Sequence, residues 1–185
     1  MSMVQEKEDA VIIKGSKFYY VLMFLATAGF LIACIFLIIQ GFKFNSKYSL
    51  FYLGGGIILT PFYLYLTLWS LPGLIPGKVL FSIIPGEDGK LIMNKKDISI
   101  KNIKDINLVR NPLNLINDII VVTFNDNKFK IRTYNLLAEM DYEMIVDKYL
   151  YPYMIENSRK VWDRKVNLEL LRAELKYDRK EQKID

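Results

Sequence analysis

Histidine is absent from the 185 residues, and cysteine occurs once. The first absence removes the side chain best suited to proton transfer near neutral pH, and a common metal ligand with it. The second rules out an intrachain disulfide, so nothing argues for an oxidising compartment. Catalytic signatures are missing too: there is no P-loop, no G-x-S-x-G and no metal-binding cysteine pair. No cofactor is expected. Charge is missing locally, from residues 18–42 and again from residues 48–77. The hydrophobic fraction of 52% and the formal charge of +5 average over this division between two greasy runs and a charged remainder. The length suits one ordinary domain, or a small domain with a membrane anchor.

A spanning helix needs about 20 apolar residues to cross a hydrocarbon core about 30 Å thick. Residues 18–42 and 48–71 meet that length with room for tilt. Neither run shows the recurring polar stripe of a soluble core helix. Tyr19, Tyr20, Tyr48 and Trp69 lie near the run ends, where amphipathic rings favour the interface. Only residues 43–47 separate the runs, so the expectation is a tight transmembrane hairpin with a connector reaching residue 77. Gly54, Gly55, Gly56 and Pro61 fall inside the second run and are candidates for close helix contact and a kink. Ala26, Ala28, Gly29 and Ala33 offer small surfaces on the first. No acid or base lies in either run, which argues against an ion or proton pathway.

Lys14 and Lys17 followed by Leu31-Ile32-Ala33-Cys34 resemble a bacterial lipoprotein signal, with Cys34 as the acylated residue. The apolar run continues through Ile39, which favours an inert cysteine inside a span. Orientation follows from basic residues. The leader, residues 1–17, holds Lys7, Lys14 and Lys17, and the chain beyond the second run opens with Lys78, Lys90, Lys95 and Lys96. A hairpin puts both on one side, and the positive-inside rule makes that side cytoplasmic.

Beyond Pro72-Gly73-Leu74-Ile75-Pro76-Gly77 the hydrophobic period changes from helical to twofold. Val79-Leu80-Phe81-Ser82-Ile83-Ile84 is β-rich and stops at Pro85-Gly86, with a tight-turn signal at Asp88-Gly89. Further strands are expected at 90–94, at 97–101 and from Ile103 to a stop at Asn111-Pro112. Residues 118–124 and 128–134 read as a hairpin around Asn125-Asp126-Asn127. From Leu136 the helical period returns, with Leu137, Met140, Met144, Ile145, Lys148 and Tyr149 on one face. A second helical segment is expected over 155–180, with Val161, Leu168, Leu171 and Leu175 at near-heptad spacing. The expected architecture is therefore a membrane α-helical hairpin (18–77) followed by an α+β domain (78–154). In that domain a small antiparallel sheet or partly open barrel is closed by a helix, and a charged helical tail (155–185) follows.

Leu91-Ile92-Met93-Asn94, Asp97-Ile98-Ser99-Ile100 and Ile103-Lys104-Asp105-Ile106 are similar to the strand succession of bacterial pleckstrin-homology-like (PH-like) domains. Two spans followed by such a domain resemble several bacterial membrane-protein families, and the layout and length resemble those of the photosystem I assembly factor. The first resemblance implies a closing helix from Leu136.

Lys95, Lys96, Lys101 and Lys104 form the densest basic group in a stretch, 78–135, with 10 basic and 6 acidic residues. Near a bilayer each attracts anionic lipid by about 1 kcal/mol, which makes them candidate headgroup contacts. The plainer reading is a set of solvated strand-edge lysines. Glu139, Asp141 and Glu143 sit in the first turns of a helix, where acids offset the helix dipole. The basic residues are not concentrated on one helix, so nucleic acid is not an expected partner. The leading expectation is a non-enzymatic, membrane-anchored interaction or scaffold module, an accessory or immunity-type protein included. Its partners would be membrane lipids and an unidentified protein, a second copy included. The alternative is an anionic-lipid sensor using the four lysines.

Overall fold

The computed structural model describes residues 3–7, 9–93, 96–112 and 116–179. They fall into two units: Lys17–Lys78, and a second that joins the chain before residue 17 to the chain after residue 78.

In the helical unit, α1 (Lys17–Phe24), one π-turn (Leu25–Gly29) and α2 (Phe30–Phe42) run on as a single apolar helix. After a short turn, α3 (Ser49–Ser70) lies against α2. The π-turn coincides with Thr27, whose hydroxyl donates to the Met23 carbonyl at 2.7 Å. The two rods, 26 and 25 residues long, are long and apolar enough to cross a membrane. Their outer surface is apolar as well: Phe18, Ile32, Phe51 and Ile58 are each more than half exposed. A helix in the core of a soluble protein would have these side chains covered.

The second unit is built on two antiparallel sheets. The first runs in the order β1 (Val4–Lys7), β2 (Ala10–Lys14), β3 (Val79–Ile84), β4 (Lys90–Met93) and β5 (Lys96–Ser99). The second comprises β6 (Ile103–Arg110), β7 (Asn117–Thr123) and β8 (Lys128–Arg132). Alternation sets the buried face: Val11 opposes Ile83 and Ile13 opposes Phe81, all four buried. Ile119 opposes Ile131 in the same way on the second sheet. Then α4 (Glu139–Tyr149) contributes Tyr142, Ile145 and Val146 to the core. Two short helices follow, α5 (Glu156–Asp163) and α6 (Leu168–Leu175).

The largest departure from the sequence reading concerns the leader. Val4–Lys7 and Ala10–Lys14 are two strands of the first sheet, so the β-rich unit begins before the apolar hairpin and resumes after it. Lys14 pairs with Val79, which puts the points where the chain leaves and rejoins the sheet side by side. The twofold alternation of Ala10–Lys14, with Val11 and Ile13 inward, was the available signal, but the strand is too short to stand out.

Four smaller corrections follow. Among the described residues the strands form two sheets and no closed barrel. The strand expected over 97–101 stops at Ser99, because Ile100 turns to donate its N–H to the Gly89 carbonyl at 2.9 Å. The tail helix is broken after Asp163, and Asn167 caps α6 by accepting from the Leu170 N–H at 3.0 Å. It is no separate tail: Trp162 is buried, and the Ser158 hydroxyl donates to the Ile103 carbonyl of β6 at 2.6 Å. Finally, the buried stripe of α4 is rotated from the expected one. Tyr142, Ile145, Val146 and Tyr149 face inward, and Lys148 is exposed.

Candidate functional site

The lysine group is spread over two sheets and the turn between them. Lys96 opens β5, and its ammonium lies 5.7 Å from the centre of the Phe129 ring. Lys101 sits in a 3-10 turn and pairs with Glu87 at 2.6 Å; Lys104 on β6 pairs with Asp126 at 2.7 Å. Lys95 lies outside the described residues. The hydrogen bond and charge of Lys101 hold the Glu87 carboxyl below its usual range, and Lys104 does the same to Asp126. Both pairs are exposed, and solvent screening leaves such pairs little weight in stability. The lysines are thus half-compensated surface charges and do not converge on a cleft.

The glycines of α3 differ from one another. A Cβ on Gly56 would stand 2.6 Å from Ile38 Cγ1 and 3.0 Å from the Cys34 carbonyl, whereas Gly54 and Gly55 face open space. Successive helical residues are about 100° apart, so only one of three consecutive glycines can face α2. The second close approach, missed from the sequence, is Gly41, where a Cβ would meet the Leu53 backbone at 2.6 Å. Pro61 is accommodated inside α3.

A more organised cluster surrounds Asp147, near the C-terminal end of α4. Its carboxylate is buried, with 1% of the residue exposed. Trp162 Nε1 and the Tyr177 hydroxyl each donate to it at 2.9 Å. Arg179 adds Nε, at 2.9 Å from Oδ2, and Nη2, while its Nη1 reaches Asp163 at 2.6 Å. The Arg179 guanidinium also lies 3.9 Å from the centre of the Tyr151 ring. Burial acts to lower the Arg179 pKa, but the hydrogen bonds and charges of Asp147 and Asp163 outweigh it and raise the value. The Tyr177 hydroxyl is raised mainly by burial and then by the Asp147 charge. These contacts pin the segment after α6 across a hollow of about 1220 Å3. Met144, Tyr149, Tyr153, Arg159 and Lys176 are among its lining residues. The sequence signal for this site was an acid flanked by Val146 and Lys148 on a helix with an apolar face.

Among the described residues no group of three or more His, Cys, Asp or Glu comes together to hold a metal ion.

Residues 9–172 match DUF5381, a family of unknown function. The chain belongs to that family. The match runs through β2, the whole apolar hairpin, β3 to β8 and into α6, so the inserted hairpin lies within the DUF5381 region. Two relatives come from Bacillus subtilis strain 168. The uncharacterized lipoprotein YfjD is 26% identical over 162 residues, covering 85% of this chain and 88% of its own. The uncharacterized protein YfjE is 26% identical over 128 residues, covering 66% and 84%. No solved structure matches the chain.

Proposed function

We propose that the chain is a two-span membrane protein whose β-rich unit serves as a non-enzymatic interaction module at the cytoplasmic face. The observation that carries this reading is the inserted hairpin: two helices of spanning length, apolar on their open faces, enclosed between paired strands β2 and β3. An insertion of this kind returns the chain to the side it left, which agrees with the single-sided orientation expected from the basic residues. The PH-like reading belongs to the same proposal. Its support is the succession of a five-stranded meander, a three-stranded sheet and then α4.

Acylation of Cys34 fits this arrangement poorly. Cleavage before Cys34 would remove β1 and β2 and strip Val11 and Ile13 from the core, at about 1.5–3 kcal/mol for each side chain. Cys34 is itself buried beside Gly56. The mass of the protein recovered from membranes is therefore expected to include residues 3–33. A mature chain starting at Cys34 would contradict the reading.

The lipid-sensing alternative has less support, because Lys101 and Lys104 already have acidic partners. Photo-crosslinking of the full chain in its native membranes tests the main reading. Adducts to a second protein through the β-rich unit are expected. Extraction by alkaline carbonate, or crosslinks confined to the chain itself, would contradict it.

A further inference from the structure

We propose that the hollow beside Asp147 binds a phosphate group, with Arg159 and Lys176 as its charged contacts. Four basic side chains and two carboxylates line this space. Both carboxylates are occupied from within the fold: Asp147 by Arg179, Trp162 and Tyr177, and Asp178 by Arg172 at 2.5 Å. Two of the cations are likewise met, Arg179 by Asp147 and Asp163, and Lys148 by Glu6 at 3.1 Å. Arg159 and Lys176 are left, and among the described residues neither has a carboxylate within ion-pair distance.

Their settings differ in a way that suits an oxyanion. Arg159 donates from Nε to the Met154 carbonyl at 2.7 Å and from Nη2 to the Pro152 carbonyl at 3.0 Å. Those main-chain acceptors fix the plane of the guanidinium, which also lies 5.9 Å from the centre of the Tyr151 ring, and the charges of Glu87 and Glu156 act on it without a direct ion pair. A fixed, planar donor is the group that selects phosphate or carboxylate oxygens. Lys176 ends α6 in the left-handed conformation, with φ at 53°. Glycine is the low-cost residue at such a cap, so the backbone gives no reason for a lysine there. One oriented guanidinium plus one exposed ammonium matches a doubly charged phosphate better than a singly charged carboxylate. The phosphate can be carried by a lipid headgroup or by a soluble monoester.

The test uses the full chain in neutral-detergent micelles. It is titrated with inorganic phosphate and, separately, with micelles doped with short-chain phosphatidic acid, and read by calorimetry and melting temperature. Binding of both probes is expected for a site that needs only the phosphate group; binding of the doped micelles alone assigns the lipid as its source. Either way, Lys176→Gln should weaken binding about tenfold, the effect of one lost charge-assisted hydrogen bond. Arg159→Gln should weaken it at least as much. Because Arg159 also ties down two carbonyls, the exposed Lys176 provides the variant that disturbs the fold least. Failure of both probes to bind overturns the proposal. So does a Lys176→Gln protein that binds as the parent does, or a loss produced by Lys104→Gln in its place.

Discussion

A buried carboxylate must have its charge met inside the protein, and Asp147 draws its donors from three places in the chain. Asp147→Asn would leave Arg179 facing a neutral amide and set its amide donors against Nε and Nη2. Breaking a buried pair from one side costs about 3–5 kcal/mol, and the partly open Arg179 places this change at the lower end. Thermal unfolding of the detergent-solubilised protein should show the loss. Tyr177→Phe removes one donor from a carboxylate that keeps the others, so a cost of about 1 kcal/mol is expected in the same measurement. The tyrosine also carries a pH dependence. Its folded pKa lies above the unfolded value near 10, so its contribution is complete below about pH 10 and is lost as the pH rises further. Tyr149 and Tyr151 are shifted the same way, both mainly by burial. A stability–pH curve should therefore fall on the alkaline side, less steeply for Tyr177→Phe. A flat alkaline limb would contradict the buried hydroxyl. In the hairpin, Gly56→Ala should lower the melting temperature, because overpacking a tight contact costs about 1–3 kcal/mol. Gly54→Ala should be neutral or stabilising, since it adds helix propensity in open space. Equal effects at the two positions would mean that α3 presents a different face to α2.

Among the elements, β1 and β2 carry the most consequence, because they tie the leader to a sheet whose other strands lie beyond the hairpin. A fragment starting at residue 78 would leave β3 as a bare edge above an uncovered core, and it should aggregate. The complementary chain should do better. Joining Lys14 to Val79 through an Asn-Gly turn connects residues that are already cross-strand partners. It should yield a soluble domain that melts cooperatively, and an insoluble product would argue against the β2–β3 pairing. Much of this fold could be read from the residues. The two helices followed from length and lack of charge, β3 and β7 from β-rich runs bounded by turn residues, and β8 from alternation. What escaped was long-range. Four- and five-residue strands before a long apolar run carry too little pattern to announce a partner some sixty positions away. Asp147 escaped for a related reason. A single acid in a helix looks solvated until Trp162, Tyr177 and Arg179 are folded around it, and their spacing in the chain is irregular. The lysine group shows the reverse pattern: Lys96, Lys101 and Lys104 are close in sequence but fall on β5, a 3-10 turn and β6.

At the scale of the whole molecule, a β-rich unit is interrupted by an apolar hairpin and completed after it. Membership of DUF5381 extends across that interruption. The account depends on the hairpin crossing a bilayer and returning, which makes residues 43–47 the far side and both sheets the near side. Labelling of intact cells with a membrane-impermeant maleimide, in a Cys34→Ser background, tests this most directly. Asn45→Cys should react in intact cells, and Asn157→Cys, on the exposed surface of α5, only after lysis. Equal reactivity of the two positions in intact cells, or protection of both until lysis, would contradict the account.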